Sequence, residues 1–173
     1  SQDISSWDVS NGTNFAGMFY SADSFSQDIS SWDVSNGTDF SYMFYDANLF
    51  NQNIDSWDVS SATTLRRMFY QNTSFNQDIS SWDVSNVNNF IEMFAGASNF
   101  NQDISDWNIN SARNNCRFMF LGATEMINNG WSPIFPALRF RGVMTIGGPT
   151  AEIITGNGGN DILSGFGGND RLK

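Results

Sequence analysis

The stretch from Phe75 to Val87 reads Phe-Asn-Gln-Asp-Ile-Ser-Ser-Trp-Asp-Val-Ser-Asn-Val, and close copies of it recur every 25 residues. Its tryptophan marks the register of five copies: Trp7, Trp32, Trp57, Trp82 and Trp107. A period of about 20 to 50 residues is typical of proteins that stack identical supersecondary units, because one such unit cannot bury its apolar face alone. The stretch therefore predicts a repeat architecture and favours a long, regular binding or building surface over a pocket enzyme.

The apolar residues of each copy change their spacing along the unit. Trp32 and Val34 alternate with polar residues, which predicts a short strand with both side chains pointing into the core. Phe40, Met43 and Phe44 follow at the spacing of one helical face, which predicts a short helix. We therefore expect a right-handed solenoid with about five 25-residue coils, each containing one short parallel strand and one short helix.

The pattern changes towards the end of the array. The fifth copy gains one residue, and Met126 takes the column that phenylalanine occupies in earlier copies. A terminal coil needs a cap because its apolar face would otherwise meet water, and the irregular stretch 128–146 is the candidate. We thus divide the chain into a repeat solenoid (1–127), a cap or linker (128–146) and a further repeat segment (147–173). Because Ser1 begins in mid-motif, we expect the chain to be an excerpt of a longer array.

A nine-residue period occupies the last segment. Two clear copies, 156–164 and 165–173, follow a looser one at 147–155. Glycines permit turns that aim backbone carbonyls at a cation, and an aspartate supplies a hard carboxylate oxygen. Leu163 and Leu172 keep the period and would fill a thin core. The segment therefore predicts a calcium site, and the alternative is a disordered Gly/Asn-rich tail.

The 25-residue unit, with its Phe-Asn-Gln-Asp-Ile-Ser-Ser-Trp-Asp-Val-Ser-Asn-Val string and the following Phe90, Met93 and Phe94, resembles a bacterial surface-protein repeat of the BspA-like leucine-rich-repeat group. The resemblance covers residues 1–127. It implies a bacterial cell-surface or secreted protein, a class usually discussed in terms of adhesion. It carries no catalytic residues to transfer to this chain.

The nine-residue unit resembles the RTX (haemolysin-type) calcium-binding repeat. This resemblance implies a short parallel β-roll in which a site forms between turns two repeats apart, so Glu152 would pair with Asp170 while Asp161 has no partner in this chain. Both clear copies depart from the pattern, since Asn157 and Phe166 replace its second glycine. The residues that match the calcium-binding pattern are Gly156, Gly158, Gly159, Asp161, Gly165, Gly167, Gly168 and Asp170.

Two polar columns run along the 25-residue repeats. One column is Asp8, Asp33, Asp58, Asp83 and Asn108, and the other is Asp3, Asp28, Asn53, Asp78 and Asp103. Either cations bridge neighbouring carboxylates, or each side chain caps the backbone of its own turn. The amides of Asn53 and Asn108 favour capping, because an amide keeps an acceptor but loses the charge that a cation requires. We therefore predict that these columns bind no calcium.

One aromatic column and two arginines are further candidate binding residues. Tyr20, Tyr45 and Tyr70 recur at the repeat spacing, and an exposed row of this kind can stack on sugars or dock a partner. Half-buried packing is the simpler interpretation. Arg66 and Arg67 are the only positive charges of the first four coils, which suggests a local docking role.

The overall composition excludes several functional classes. The chain has 173 residues and a formal net charge of −10, which would repel nucleic acid and anionic membranes. No apolar run approaches the roughly 18 residues of a membrane span, so we expect no membrane insertion. Cys116 is the single cysteine. Catalysis needs titratable groups in different environments, whereas each aspartate here repeats its neighbour's surroundings, so we expect no enzyme.

The sequence therefore favours a non-catalytic, extracellular adhesion or ligand-binding module of a secreted RTX-type protein. Its partner would be a cell-surface glycan or protein. The alternative is a structural subunit of an extracellular filament, surface layer or virion appendage, in which copies of the chain bind one another.

Overall fold

A computed structural model describes residues 2–112 and 115–128, together with the backbone of residues 153–154 and 171–172. The chain divides into two compact units, Ser1–Pro133 and Ile134–Lys173. In the described part, regular elements are few and short: a 3₁₀ helix (Asn110–Ala112), helix α1 (Thr124–Asn128) and strands β1 (Ile153–Ile154) and β2 (Arg171–Leu172). The predicted cap, 128–146, lies outside the described residues apart from its first residue.

Consecutive coils of the first unit are joined by a ladder of backbone hydrogen bonds. The N–H of Phe44 donates to the carbonyl of Met68 in the next coil at 2.9 Å. The preceding N–H, that of Met43, instead closes a turn within its own coil on the carbonyl of Phe40 at 3.2 Å. Donors to the next coil therefore alternate with donors to the same coil, and in the second coil the former are Phe40, Tyr42, Phe44 and Asp46.

The helix predicted over Phe40, Met43 and Phe44 is wrong, because this segment is a run of turns. Tyr42 and Asp46 have φ angles of 59° and 53°, in the left-handed region that a right-handed helix excludes. A five-residue helix also gains little by itself, since nucleation is costly, whereas the turns send every second N–H to the neighbouring coil. The apolar pattern is correct, because all three predicted core side chains are fully buried.

The strand predicted at Trp32 and Val34 is also wrong in its position. Parallel bridges join consecutive coils at Asn14, Asp39, Thr64 and Asn89, which places the pairing of the second coil at Asp39. At the predicted position, the Asp33 carboxylate accepts the N–H of Ser35 at 3.1 Å. A side chain that binds a nearby backbone N–H competes with a strand ladder for that donor, so the segment turns instead of pairing.

The core consists of aromatic columns that continue from coil to coil. The rings of Phe44 and Phe69 stack with centroids 5.6 Å apart, and Phe69 stacks on Phe94 at the same separation. Burial of the tryptophan column is confirmed for Trp32, Trp57, Trp82 and Trp107, which are 3 to 5% exposed. Trp7, in the first coil, is 54% exposed. Stacking in register is thus observed, while the right-handed solenoid as a fold class stays a prediction.

The fifth coil accommodates its extra residue without losing the ladder. The N–H of Phe40 reaches the carbonyl of Thr64, whereas that of Phe90 reaches Asn115 at 2.8 Å, one residue further along the chain. The insertion therefore lies before Asn115. Met126, in the following helix α1, is buried as predicted.

In the second unit, β1 pairs with β2 in parallel. Ile153 aligns with Arg171 and Ile154 with Leu172. The paired positions are 18 residues apart, which equals two nine-residue repeats. The pairing therefore joins the first repeat to the third.

Candidate functional site

The aspartate columns of the first unit cap their own turns. The Asp33 carboxylate accepts the backbone N–H of Ser35 at 3.1 Å and its hydroxyl at 2.6 Å. Asn53 accepts the N–H of Asp55 at 3.0 Å with its amide oxygen, so an uncharged side chain performs the same function. Equivalent carboxylate bonds occur at Asp3, Asp8, Asp28, Asp58, Asp78, Asp83 and Asp103. The capping hypothesis is confirmed.

These hydrogen bonds also stabilise the charged form of the carboxylates. The hydroxyl and then the N–H of Ser35 lower the pKa of Asp33, while the nearby Asp8 carboxylate opposes the shift. At Asp28 the backbone N–H of Ser30 is the largest cause of a lowered pKa. The described residues contain no group of three or more histidine, cysteine, aspartate or glutamate side chains that could hold a metal. That the columns bind no calcium stays a prediction.

The sequence analysis missed a third capping column. The side-chain oxygens of Asn14, Asp39 and Asn89 accept the N–H two residues later at 2.8 to 3.1 Å. In the third coil, Thr64 takes this position, and its hydroxyl accepts the N–H of Arg66 at 3.3 Å. The threonine hid the column, although a short polar residue directly before the first core position of each coil was the available signal.

The aromatic column forms a stacked ladder. The rings of Tyr20 and Tyr45 lie 4.5 Å apart with an angle of 7° between their planes, and Tyr45 and Tyr70 lie 4.7 Å apart at 7°. Tyr45 and Tyr70 are half-buried, while Tyr20 is exposed. Because neighbouring rings cover both faces of Tyr45, a sugar cannot stack on that ring and can reach only its edge and hydroxyl.

Arg66 and Arg67 lie beside this ladder. The Arg66 guanidinium donates to the Tyr42 hydroxyl and lies 5.2 Å from the Tyr42 ring centroid. Arg67 donates to the Glu92 carboxylate, and this bond raises the pKa of Arg67. Arg67 also lies 5.4 Å from the centroid of Tyr70. We call Tyr20, Tyr42, Tyr45, Arg66, Arg67 and Tyr70 the tyrosine–arginine surface.

The predicted calcium residues, from Gly156 to Asp170, lie outside the described residues. The structure describes the two strands that flank them, β1 and β2. Their offset of two repeats is the register in which turns two repeats apart share an edge. Glu152 and Asp170 directly precede the paired residues Ile153 and Arg171 in the chain.

Comparison with known families follows the same division of the chain. Residues 1–71 and 52–132 match the family model described as "Mycoplasma protein of unknown function, DUF285". The chain belongs to the DUF285 family. The last segment of this DUF285 protein, residues 146–173, matches the model of the RTX calcium-binding nonapeptide repeat. Both repeat resemblances are therefore supported, while membership of the BspA-like leucine-rich-repeat group stays a prediction.

No curated protein and no solved structure matches the chain. Among the described residues, no helix has the length and apolarity that crossing a membrane would require.

Proposed function

We propose that this DUF285 chain is a non-catalytic binding module of a secreted bacterial surface protein. Its 25-residue repeats would form a leucine-rich-repeat-like solenoid that binds a cell-surface glycan or protein, and its nine-residue repeats would bind calcium. The observation that carries the proposal is the parallel pairing of β1 with β2 across two nine-residue repeats, in a segment that matches a calcium-binding repeat.

The donor set of the nine-residue repeats suits calcium. A calcium ion takes about six to eight oxygen ligands, and Asp161 and Asp170 each follow a glycine-rich turn with several free carbonyls. In the observed register, Glu152 and Asp170 would meet at one edge. Bound calcium would supply the charge that holds these acidic turns together. Because metal binding is coupled to folding, extracellular calcium would order a segment that the calcium-poor cytosol leaves unfolded.

The regularity of the first unit supports binding over catalysis. Carboxylates in each column have the same local partners, a serine two residues later, so their pKa values are shifted in the same direction. General acid–base chemistry needs neighbouring groups whose pKa values are pushed apart. A repeated surface with uniform chemistry instead suits a partner that contacts several coils.

A binding array tests the proposal. The full chain is applied to immobilised glycans and cell-surface proteins, with calcium and with a chelator, and its mass in solution is measured in parallel. We expect the monomer to bind a subset of ligands, with a difference between the two conditions. Growth into long assemblies without ligand binding would instead support the alternative, a structural subunit whose copies stack on one another.

A further inference from the structure

The five coils are nearly identical except at two adjacent positions. The first position is Ala16, Ser41, Arg66, Ile91 and Arg117 in successive coils, and the second is Gly17, Tyr42, Arg67, Glu92 and Phe118. The ladder confirms this alignment, since the N–H of Arg67 donates to Ile91 and that of Glu92 to Arg117, both at 3.0 Å. The chemical differences between coils are thus concentrated at one place on the side of the stack.

The second variable position has a backbone conformation that favours glycine. Gly17 has a φ of 64°, but Tyr42, Arg67 and Glu92 keep large side chains at 59°, 54° and 56°. Residues held in this region cluster at functional sites, because the side chain must contribute something that glycine cannot. Their mutual contacts supply little of this, since a partly exposed ion pair such as Arg67–Glu92 adds little stability.

These positions also concentrate the positive charge and all the tyrosines. Residues 1–112 contain 14 acidic side chains and two basic ones, Arg66 and Arg67, and the chain's four tyrosines lie around them. Glu92 pairs with Arg67. Arg66 is paired with no carboxylate among the described residues, since its guanidinium binds the Tyr42 hydroxyl. An isolated positive centre on an acidic surface attracts an anionic group to one point.

We propose that the tyrosine–arginine surface binds a linear polysaccharide with widely spaced carboxylates. Arg66 would bind a carboxylate, and the tyrosine hydroxyls would bind sugar hydroxyls along the stack. This inference rests on the proposed function and names its ligand class.

Two observations favour this ligand. The ring faces of Tyr45 are covered by Tyr20 and Tyr70, so the surface offers edges and hydroxyl groups, which act as donors and acceptors, in place of an apolar pocket for a peptide side chain. A densely charged polymer is disfavoured because the chain carries a formal net charge of −10. Sparse carboxylates on a hydroxyl-rich polymer fit both conditions.

The test uses the full chain in calcium, with hyaluronate as the probe because only alternate sugars carry a carboxylate. Arg66→Gln should weaken binding about tenfold, the loss expected for one charge-assisted hydrogen bond. Glu92→Gln should strengthen binding, because it frees Arg67 from its carboxylate partner. Arg117→Gln is the matched control, since it removes an exposed arginine from the same column two coils away, and it should leave the affinity unchanged. Carboxyl-reduced hyaluronate should not bind.

Each contrary outcome overturns the inference in a different way. Equal losses in Arg66→Gln and Arg117→Gln would mean that only general charge matters. Stronger binding of polyglutamate than of hyaluronate, with the same dependence on Arg66, would identify an acidic peptide as the partner. Failure of the wild-type chain to bind hyaluronate, while it binds other ligands on the array, would reject this ligand class and leave the proposed function standing. A chain that binds no ligand on the array would remove both.

Discussion

The indole N–H of Trp57 donates a hydrogen bond of 3.1 Å to the carbonyl oxygen of Ile29, which lies 28 residues earlier in the previous coil. The same buried bond joins Trp32 to Ile4, Trp82 to Ile54 and Trp107 to Ile79. A buried tryptophan needs a partner for its N–H as well as space for its rings. The tryptophan column therefore links the coils by a polar bond in addition to its contribution to the core.

Two substitutions separate these contributions. Trp57→Ala should lower the free energy of unfolding by about 3 to 5 kcal/mol, as for other large core aromatics. Trp57→Phe keeps most of the apolar volume but removes a partner of the buried Ile29 carbonyl, and it should cost about 1 to 3 kcal/mol. Denaturant titration followed by circular dichroism measures both. Trp7→Phe, at a position that is 54% exposed, should change stability little, and a cost equal to that of Trp57→Phe would contradict the account.

The turn-capping carboxylates make stability depend on acid pH. Hydrogen bonds from serine lower the folded-state pKa of Asp28, Asp33, Asp78, Asp83 and Asp103 below 3.8. A carboxylate whose pKa is lowered by folding contributes stability that is present above its unfolded pKa and is lost as pH falls through the folded pKa. The urea midpoint should therefore be flat near neutral pH and fall below pH 3.8.

The matched variant is Asp28→Asn, since Asn53 already caps the equivalent turn with an amide. It should fold at neutral pH and show a smaller decrease in the urea midpoint on acidification than the wild-type chain. An unchanged dependence on pH would indicate that the Asp28 cap does not contribute to it.

Positive-φ positions provide a test of the turn geometry. Ser21 has a φ of 50°, and the equivalent residue of the fourth coil is Gly96, with a φ of 74°. Ser21→Gly should stabilise the chain by about 0.5 to 1 kcal/mol, because it relieves a left-handed conformation worth about 1 to 2 kcal/mol and adds about 0.5 to 1 kcal/mol of backbone entropy to the unfolded state.

Gly96→Ala is the reverse experiment. It should destabilise the chain by about 1 kcal/mol from backbone strain, and the new Cβ would also lie 2.5 Å from the Gln71 side chain, which must move. Thermal unfolding of both variants checks the signs. Destabilisation by Ser21→Gly would contradict the assigned turn.

The single cysteine should be unreactive. Cys116 occupies the core position held by phenylalanine or leucine in the other coils, and burial raises its pKa to about 11. Because the thiolate is the reactive form, a thiol reagent at pH 8 should label the folded chain far more slowly than the chain in denaturant. Equal rates would place Cys116 at the surface.

The sequence identified which residues are buried but not how their backbone runs. Phe40, Met43 and Phe44 share a face in a helix and also in the observed run of turns, so apolar spacing alone could not separate the two. The deciding residues, Tyr42 and Asp46, adopt φ angles that non-glycine residues rarely take, and nothing in the repeat marks them except the glycines at the equivalent positions of other coils.

The candidate surface was only partly predictable for a similar reason. Tyr20, Tyr45 and Tyr70 recur at one period, so their column could be read from the sequence. The positions of Tyr42 and Arg66 relative to that column depend on the turn geometry, and their cation–π contact was therefore not predicted. The Arg67–Glu92 pair joins residues 25 positions apart in a column where no residue type repeats, and periodicity could not reveal it.

Calorimetric titration of the full chain with calcium tests the central claim most directly. The wild-type chain should take up calcium with an affinity of about 0.1 to 1 mM, the range of extracellular modules. Combined Asp161→Asn and Asp170→Asn substitutions should abolish that uptake, and Asp33→Asn with Asp83→Asn should leave it unchanged. Calcium uptake that survives the first pair of substitutions and is lost with the second would contradict the account, because it would place the cation on the capping columns of the 25-residue repeats.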